Sequence, residues 1–376
     1  MSEARVNNLS NESNTGGPSI SGITTFSGAN YFVPPVGDTA QRPENPEKGA
    51  LRFNTDIGSL EYYRGDGIGW VEVEASNDEL NGGNRMIFMG GTSPSVVDVI
   101  QYITISTLGN ATDFGNLVAA EMEGTATTNH LRGLYFGGDP ADNEIEYVTF
   151  SSAGNATDFG DCTTTSKSGA SCSDRTRGVM ILGASNNVMN YITFSTTGNA
   201  VDFGDTTMVN SAGSGSSSTT RGIFAIGSSN SNYKNNIEQI TISTTGNSTV
   251  FGDLTRSGVH CNSYSNATRG VFHSGYQYPT SPNFMNVIDY VTIATTGDAV
   301  DFGDSLLGGF GAGGSSSTRG VAGGGYYAGS PTGESGGFTN IIDYTQIVTT
   351  GNSTDFGDLT NVVRHIKGGS NGHGGL

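Results

Sequence analysis

Six copies of one sequence phrase, three β-prone segments in each copy and a period of about 45 residues predict an all-β protein built mainly as a six-bladed β-propeller. Each copy opens with an arginine and closes on a Phe-Gly pair. The opening residues are Arg85, Arg132, Arg177, Arg221, Arg269 and Arg319. The closing residues are Phe114, Phe159, Phe203, Phe251, Phe302 and Phe356. A solenoid also has such a period, but it needs atypical end repeats, which these copies lack.

Within each copy, three segments have the composition of strands and a fourth is weaker. The first is apolar and runs into glycine, as in residues 132–138, and the second alternates polar and apolar residues, as in 147–151. The third ends at the Phe-Gly pair, after a turn in which we expect Gly198 and Asn199 to supply the positive φ of a tight hairpin. We expect the fourth strand in the polar stretch before the next arginine, which completes a four-stranded blade.

The glycine pair after the first strand, as at Gly137 and Gly138, is similar to the pair in kelch repeats. The tryptophan of a kelch repeat is absent, so the predicted propeller is kelch-like. The tail at 361–367 is expected either to add the outer strand of the last blade or to close the ring against the first blade. The whole chain is therefore predicted to be an extended N-terminal arm, a small β-meander and a six-bladed kelch-like β-propeller.

The copies differ in length mainly at one place. The second strand and the closing phenylalanine are 12 residues apart in every copy, as from Tyr102 to Phe114. The spacing from the arginine to the second strand varies from 14 to 25 residues. The variable segment therefore connects the first and second strands. Equivalent connections of a propeller leave it on one face, where loops on a rigid scaffold commonly carry recognition.

The two longest of these connections are rich in aromatic residues, with Gly, Ser, Asn and Pro between them. The candidate recognition residues are Tyr276, Tyr278, Phe284, Tyr326, Tyr327 and Phe338. This composition suits adaptable contact with a carbohydrate or protein surface. The alternative is that these aromatic side chains fold back over the blades and form the cores of the loops.

The residues before the repeats divide into an arm and a meander. Residues 1–48 are predicted to form an extended arm and a proline-marked linker. Residues 1 to about 30 are polar, with too little apolar content to fold alone, and we expect the arm to dock onto other chains. Residues 49–80 are predicted to form the meander, and residues 81–376 the propeller. The meander strands are predicted at 49–54, 59–63 and 69–73. Because a three-stranded meander is marginal by itself, we expect it to pack on the propeller or on copies of itself.

Composition and charge exclude several classes of function. The net charge of −18 argues against binding of nucleic acid, whose phosphates need clusters of Lys and Arg. The sequence predicts no membrane insertion and no secretion signal, so we expect synthesis in a cytoplasm. The cysteines, Cys162, Cys172 and Cys261, have neither the number of a disulfide framework nor the spacing of metal ligands.

The repeated residues predict structure and not catalysis. Asp-Phe-Gly recurs without the phosphate loop or catalytic loop of a kinase, and Val250 replaces its aspartate in the fourth copy. The histidines occupy different positions of the repeat, and neither a Ser-His-Asp set nor a calcium-binding spacing is present. We therefore predict no enzyme activity, no metal and no cofactor. We expect each opening arginine to pair with a carboxylate that follows a Phe-Gly pair, such as Asp161 or Asp205.

Two parts of the chain resemble virion proteins of tailed phages. The run from Arg42-Pro43 through residues 48–56 to Gly69-Trp70-Val71 is similar to a short module of phage fibres. The phrases Thr-Thr-Gly-Asn, Asp-Phe-Gly-Asp and Ser-Thr-Arg-Gly resemble those of predicted structural proteins of marine phages, particularly phages of cyanobacteria. Together these parts cover most of the chain, from about residue 20 to the end.

The resemblance implies a virion component that is assembled in the host cytoplasm and whose arm binds other virion proteins. We expect a tail fibre or tail-associated protein that displays its propeller to a host-surface glycan or protein. By analogy with phage fibres we expect a homotrimer, because several weak contacts made together give strong attachment. The alternatives are a capsid fibre or decoration protein with a purely structural role and, after it, a polysaccharide depolymerase.

Overall fold

The computed structural model describes residues 34–57, 59–65, 67–73, 83–230, 232–277, 283–328 and 337–376. Contacts within the chain divide it into two compact units, Met1–Asn77 and Asp78–Leu376. The described residues contain one short 3-10 helix, no α-helix and 32 strands. The predicted all-β class is therefore confirmed. The predicted arm falls mostly on residues 1–33, which lie outside the described residues.

The first unit contains a small four-stranded sheet. Its elements are β1 (Val36–Gly37), a 3-10 helix (Thr39–Gln41), β2 (Leu51–Asn54), β3 (Ser59–Tyr63) and β4 (Trp70–Glu72). Strands β2, β3 and β4 pair antiparallel in the predicted order, and β1 adds to the edge of β2 in parallel. The short β1 was not predicted, because a two-residue strand has no periodicity to recognise.

A buried ion-pair cluster holds this sheet together. The carboxylate of Glu61 is fully buried and lies 2.5 Å from Arg42 Nη2 and 3.3 Å from Arg52 Nη1. The Arg42 hydrogen bond holds the pKa of Glu61 below its usual range. Two arginines and one buried carboxylate thus replace part of the apolar core that so small a sheet cannot build.

The second unit contains six four-stranded antiparallel sheets, whose strands we call a, b, c and d in order across each sheet. Sheet 1 has b, c and d strands β5 (Arg85–Met89), β8 (Val99–Thr104) and β9 (Thr112–Asn116). Sheet 2 consists of β10 (Thr125–Thr128), β11 (Arg132–Phe136), β12 (Asp142–Thr149) and β13 (Thr157–Ser166). Sheet 3 consists of β14 (Ala170–Ser173), β15 (Arg177–Ile181), β16 (Asn186–Thr193) and β17 (Val201–Asn210).

The remaining sheets follow the same order along the chain. Sheet 4 consists of β18 (Ser214–Ser217), β19 (Arg221–Ala225), β22 (Asn236–Thr241) and β23 (Thr249–Asp253). Sheet 5 consists of β24 (Asn262–Ser265), β25 (Arg269–Tyr276), β26 (Phe284–Thr292) and β27 (Val300–Asp304). Sheet 6 consists of β28 (Ala312–Ser315), β29 (Arg319–Gly323), β30 (Ile341–Gln346) and β31 (Thr354–Asp358). Two small hairpins lie in b–c connections, β6–β7 (Thr92–Ser93, Ser95–Val96) and β20–β21 (Ser228–Ser229, Asn232–Tyr233).

The a strand of sheet 1 is β32 (Lys367–Ser370), from the C-terminal end of the chain, and it pairs with β5. The weak fourth strand predicted before each arginine is therefore confirmed, and it forms strand a of the following sheet. Of the two expectations for the tail, pairing with the first sheet is the one observed, although the strand begins only at Lys367. Because β32 completes sheet 1, the N-terminal and C-terminal ends of the second unit share one sheet.

Hydroxyl groups link the six a strands in a continuous cycle. The last residue of each a strand donates its side-chain hydroxyl to the backbone carbonyl of the equivalent residue in a neighbouring a strand, over 2.6 to 2.8 Å. This hydroxyl ring consists of Thr128, Ser173, Ser217, Ser265, Ser315 and Ser370. The cycle passes from sheet 1 to sheet 6 without a gap, since Ser370 donates to Ser315 and Thr128 donates to Ser370.

A second cycle, made of backbone groups, lies at the other end of the a strands. Each a strand is preceded by a residue in the left-handed region, with φ between 51° and 63°. The N–H of each such residue donates to the carbonyl of the equivalent residue in the adjacent repeat, over 2.6 to 3.2 Å. This mouth ring consists of Glu123, Ser168, Ala212, His260, Phe310 and His365.

Apolar cores fill the spaces between successive sheets. Buried side chains of sheets 1 and 2 form one cluster, sheets 2 and 3 the next, and so on to a cluster between sheets 6 and 1. All residues of strand b except its arginine are buried in most sheets, for example Ile87 and Phe88. Sheets that stack face to face around linked a strands give the second unit a β-propeller-like arrangement.

Candidate functional site

The repeated arginine, tyrosine and phenylalanine form a stack in five of the six sheets. The arginine of strand b lies over the tyrosine ring of strand c, at 4.5 to 4.7 Å from Cζ to the ring centroid. The same tyrosine meets the buried phenylalanine of strand d edge to face. In sheet 4, Gln239 takes the place of the tyrosine, so Arg221 lacks this cation–π contact.

The expected pairing of these arginines with carboxylates is wrong. In the described part of the chain, none of the six forms an ion pair with Asp161, Asp205 or an equivalent carboxylate. Each arginine instead donates to a backbone carbonyl just after strand c of the next sheet, as from Arg132 Nη1 to Phe194 O over 2.6 Å. Arg319 of sheet 6 donates to Ile105 O of sheet 1 in the same way. The carbonyls at the end of strand c have no ladder partner, so a fixed cation satisfies them.

The asparagine of the repeated hairpin also has a role other than the expected one. Gly198 has a φ of +148°, as the turn requires, but Asn199 is not in the left-handed region. Its Oδ1 accepts a hydrogen bond from the N–H of Asp161 in the preceding sheet, over 3.1 Å. In the other five hairpins the Oδ1 of the equivalent residue also accepts a hydrogen bond from a backbone N–H of the preceding sheet, over 3.0 to 3.1 Å. The repeated Gly-Asn phrase therefore joins neighbouring sheets.

A buried acceptor at the position before each strand c tyrosine, or before Gln239, was missed by the sequence analysis. Its side-chain oxygen accepts a hydrogen bond from a backbone N–H of the preceding sheet, over 2.6 to 3.3 Å, and the donor lies within strand d or just after it. The six acceptors are Gln101, Glu146, Asn190, Glu238, Asp289 and Asp343, all buried. The signal was a residue with a side-chain oxygen acceptor at one fixed position, directly before the strand c tyrosine or Gln239.

We expect Glu146→Gln to stabilise the protein at pH 8 by about 2 kcal/mol and to have little effect at pH 4. Burial, reinforced by Glu144 and Asp142, raises the pKa of Glu146 to about 7. The folded state therefore holds the proton more tightly than the unfolded state, and the associated stability is lost as pH rises through about 7. Glutamine keeps the acceptor without a charge, as Gln101 does in sheet 1.

Urea unfolding of both proteins, followed by circular dichroism between pH 4 and 8, checks this expectation. The variant should show a shallower fall in the free energy of unfolding than the native chain. Part of the pH dependence that remains in the variant comes from Glu121, because burial also raises the pKa of Glu121 to about 7. Identical slopes for the two proteins would contradict the assignment to Glu146.

The aromatic residues of the two longest b–c connections lie in one cluster. Phe284 stacks on Tyr326 at 4.0 Å between ring centroids, and Tyr276 lies 5.1 Å from Phe284. Phe310 of the mouth ring lies 5.4 Å from Tyr326, so the cluster reaches the end of the a strands. Arg364 lies over the ring of Phe338 at 4.5 Å and donates to the Tyr326 hydroxyl over 2.6 Å.

The structure places the six candidate recognition residues in different environments. Phe284 and Tyr326 are 1% and 2% exposed, so the expectation that they are displayed on the surface is wrong for these two. They form a loop core, which was the alternative. Tyr327 is 45% exposed, Tyr276 and Phe338 are half-buried, and Tyr278 lies outside the described residues. Phe310 and Arg364 belong to the same cluster but were not predicted, because they lie outside the variable connections.

Other chemical groups were also located. The three cysteines are free, and burial raises the pKa of Cys162 to about 12. Among the described residues no group of three or more His, Cys, Asp or Glu side chains is placed to hold a metal ion. The described part of the chain also contains no helix with the length and apolar character needed to cross a membrane.

Comparison of the chain with protein-family models found no match, and none of the curated proteins matches it.

Proposed function

We propose that the six sheets are the blades of one closed, six-bladed propeller. The hydroxyl ring, the mouth ring and the arginine contacts each run from sheet to sheet and return from sheet 6 to sheet 1. Closure by a C-terminal strand gives every sheet two neighbours, which leaves no sheet face uncovered. In this arrangement all six b–c connections leave the propeller on one face, beside the mouth ring, and we call it the variable face.

We further propose that the protein is a virion component of a tailed phage and that its variable face binds a host-surface glycan or protein. The observation that carries this proposal is the restriction of length variation to the b–c connections, over a frame whose other spacings are nearly constant. Among the described residues of these connections, the accessible or half-buried aromatic side chains include Tyr327, Tyr276, Phe338 and Tyr233. The resemblance of the leader and repeat phrases to phage structural proteins supports the virion assignment, and several propellers in a homotrimer would bind with avidity.

We expect the full chain to bind intact cyanobacterial host cells or their isolated envelope polysaccharide, and Tyr327→Ala to weaken this binding about tenfold. Removal of an exposed aromatic anchor from a binding face typically costs more than 1 kcal/mol. A second variant replaces residues 329–336 by a short Gly-Ser turn. The measurement is a pull-down at several protein concentrations, with circular dichroism to show that each variant is folded.

The matched control is Leu131→Ala. Leu131 is 55% exposed but lies in an a–b turn, at the opposite end of the sheets from the variable connections. Equal loss of binding in the control would contradict the assignment to the variable face. Absence of binding to every candidate host would favour the structural alternative, a capsid fibre or decoration protein. Release of soluble oligosaccharides from the polysaccharide would favour a depolymerase.

A further inference from the structure

The two faces of the small sheet in the first unit differ in chemical character. Residues that lie opposite each other on paired strands share a face, and successive residues of a strand alternate between faces. This pairing assigns Arg52, Asn54 and Glu61 to one side, which we call the polar face. The side chains of the other side, the apolar face, are those of Val36, Leu51, Phe53, Leu60, Tyr62 and Val71. All six are apolar or aromatic, and none is charged.

The polar face is covered by the chain itself. Arg42, which follows the 3-10 helix, donates to the carboxylate of Glu61. Arg52 Nη2 donates to Asp38 O over 2.9 Å, and Asn54 Nδ2 also donates to Glu61. Arg52, Asn54 and Glu61 are all buried. The interior of this sheet is therefore the ion-pair cluster, and its apolar side chains lie on the opposite side.

The described residues leave the apolar face accessible. Val36 and Leu51 are 58% and 44% exposed, and the other four side chains are half-buried. Four of the 14 exposed large apolar side chains in the described part of the chain belong to the first unit, which holds only a small part of those residues. An apolar surface that is concentrated in this way is typical of a contact surface.

The rest of the chain offers poor partners for this face. Residues 1 to about 30 are polar, with too little apolar content to form the other half of a core. The sheets of the second unit pack against each other through the apolar cores between them. The exposed large apolar side chains of that unit are spread over all six sheets. The best-matched partner is the same face of another copy, because it is apolar, uncharged and of equal size.

We propose that the apolar face is the surface through which copies of this chain associate. Packing of such faces against each other would form the apolar core that one sheet of this size lacks. The net charge of −18 opposes association at long range, but salt screens that repulsion and the face itself carries no charge. In the homotrimer of the proposed function this surface would hold the propellers together, and only that role rests on the proposed function.

The test is sedimentation velocity of the full chain over a range of micromolar concentrations at physiological ionic strength. We expect a monomer at low concentration and an oligomer at high concentration, because a face of this size suits reversible association. Leu51→Lys places a charge in the apolar contact and should raise the dissociation constant about tenfold or more. Val36→Lys should act in the same direction, and it decides the test if Leu51→Lys disturbs folding, because Val36 is the more exposed of the two.

Leu108→Lys is the matched control. Leu108 is as exposed as Val36, gains the same charge, and lies in the c–d hairpin of sheet 1. It should associate as the native chain does. The fluorescence of Trp70, which packs on Tyr63 in the small sheet, shows whether that sheet remains folded in each variant.

Association that the Leu51 and Val36 variants weaken and the control keeps supports the proposal. A native chain that stays a monomer overturns it, and would indicate that another part of the same chain covers the face. Association that survives both variants, or that the control weakens equally, also overturns it. A chain that associates through this face but binds no host cell would support this proposal and count against the proposed function.

Discussion

A chain that ends at His365 is expected to lose most of the stability of its second unit. The truncation removes β32, so the edge of β5 from Arg85 to Met89 loses its ladder partner and faces solvent. It also opens the hydroxyl ring and removes Ile366, which is 1% exposed in the core between sheets 6 and 1. These losses together amount to about 5 kcal/mol or more, which is comparable with the whole stability of a typical domain.

The measurement is thermal unfolding followed by circular dichroism. Trp70, the single tryptophan, lies in the first unit, so its fluorescence reports on that unit. A shorter truncation after Asn371 is the control, because it keeps β32 and both hydrogen bonds between Asn371 and Arg85 of β5. A synthetic peptide of residues 361–376 should restore the lost transition by adding a strand to the open edge. An unchanged melting temperature in the longer truncation would contradict the role assigned to β32.

The strands of the repeat could be predicted because each has a local signature. Strand b is apolar, strand c alternates, and strand d ends at a Phe-Gly pair, so the sequence pattern alone located them. The partners of the repeated polar residues could not be predicted in the same way. Arg132 and Asn199 bond to backbone groups of another sheet, and the identity of a backbone partner leaves no trace in the sequence.

The buried acceptors show a second limit. The six acceptors share only a side-chain oxygen atom at the right distance. Four residue types, Gln, Glu, Asn and Asp, occupy the six positions. A search for a repeated residue therefore misses them, whereas a search for a repeated hydrogen-bonding capacity would find them.

The recognition residues show a third limit of prediction from the sequence, because an aromatic side chain suits both a loop core and a binding surface. Phe284 is buried and Tyr327 is 45% exposed, although both are aromatic residues of the two longest variable connections.

The second large effect is expected for Gly204→Ala, which should destabilise the second unit by about 3 kcal/mol or more. Gly204 belongs to the Phe-Gly pair of sheet 3 and has a φ of +138°, a conformation that residues with a side chain rarely adopt. An added Cβ would lie 2.6 Å from the backbone carbonyl of Gly246 in sheet 4. At the same place the N–H of Gly246 donates to Phe203 O over 2.7 Å, so the two sheets cannot separate without losing that bond.

Gly198→Ala separates the two contributions to this effect. Gly198 has a similar φ of +148°, but an added Cβ there meets no atom within 4 Å. The control should therefore lose only the conformational term, about 1 to 2 kcal/mol. The difference between the two variants, measured by urea unfolding, is the contribution of close contact between neighbouring sheets. Equal losses of unfolding free energy in the two variants would show that Gly204 is required for its backbone conformation and not for the close contact between sheets.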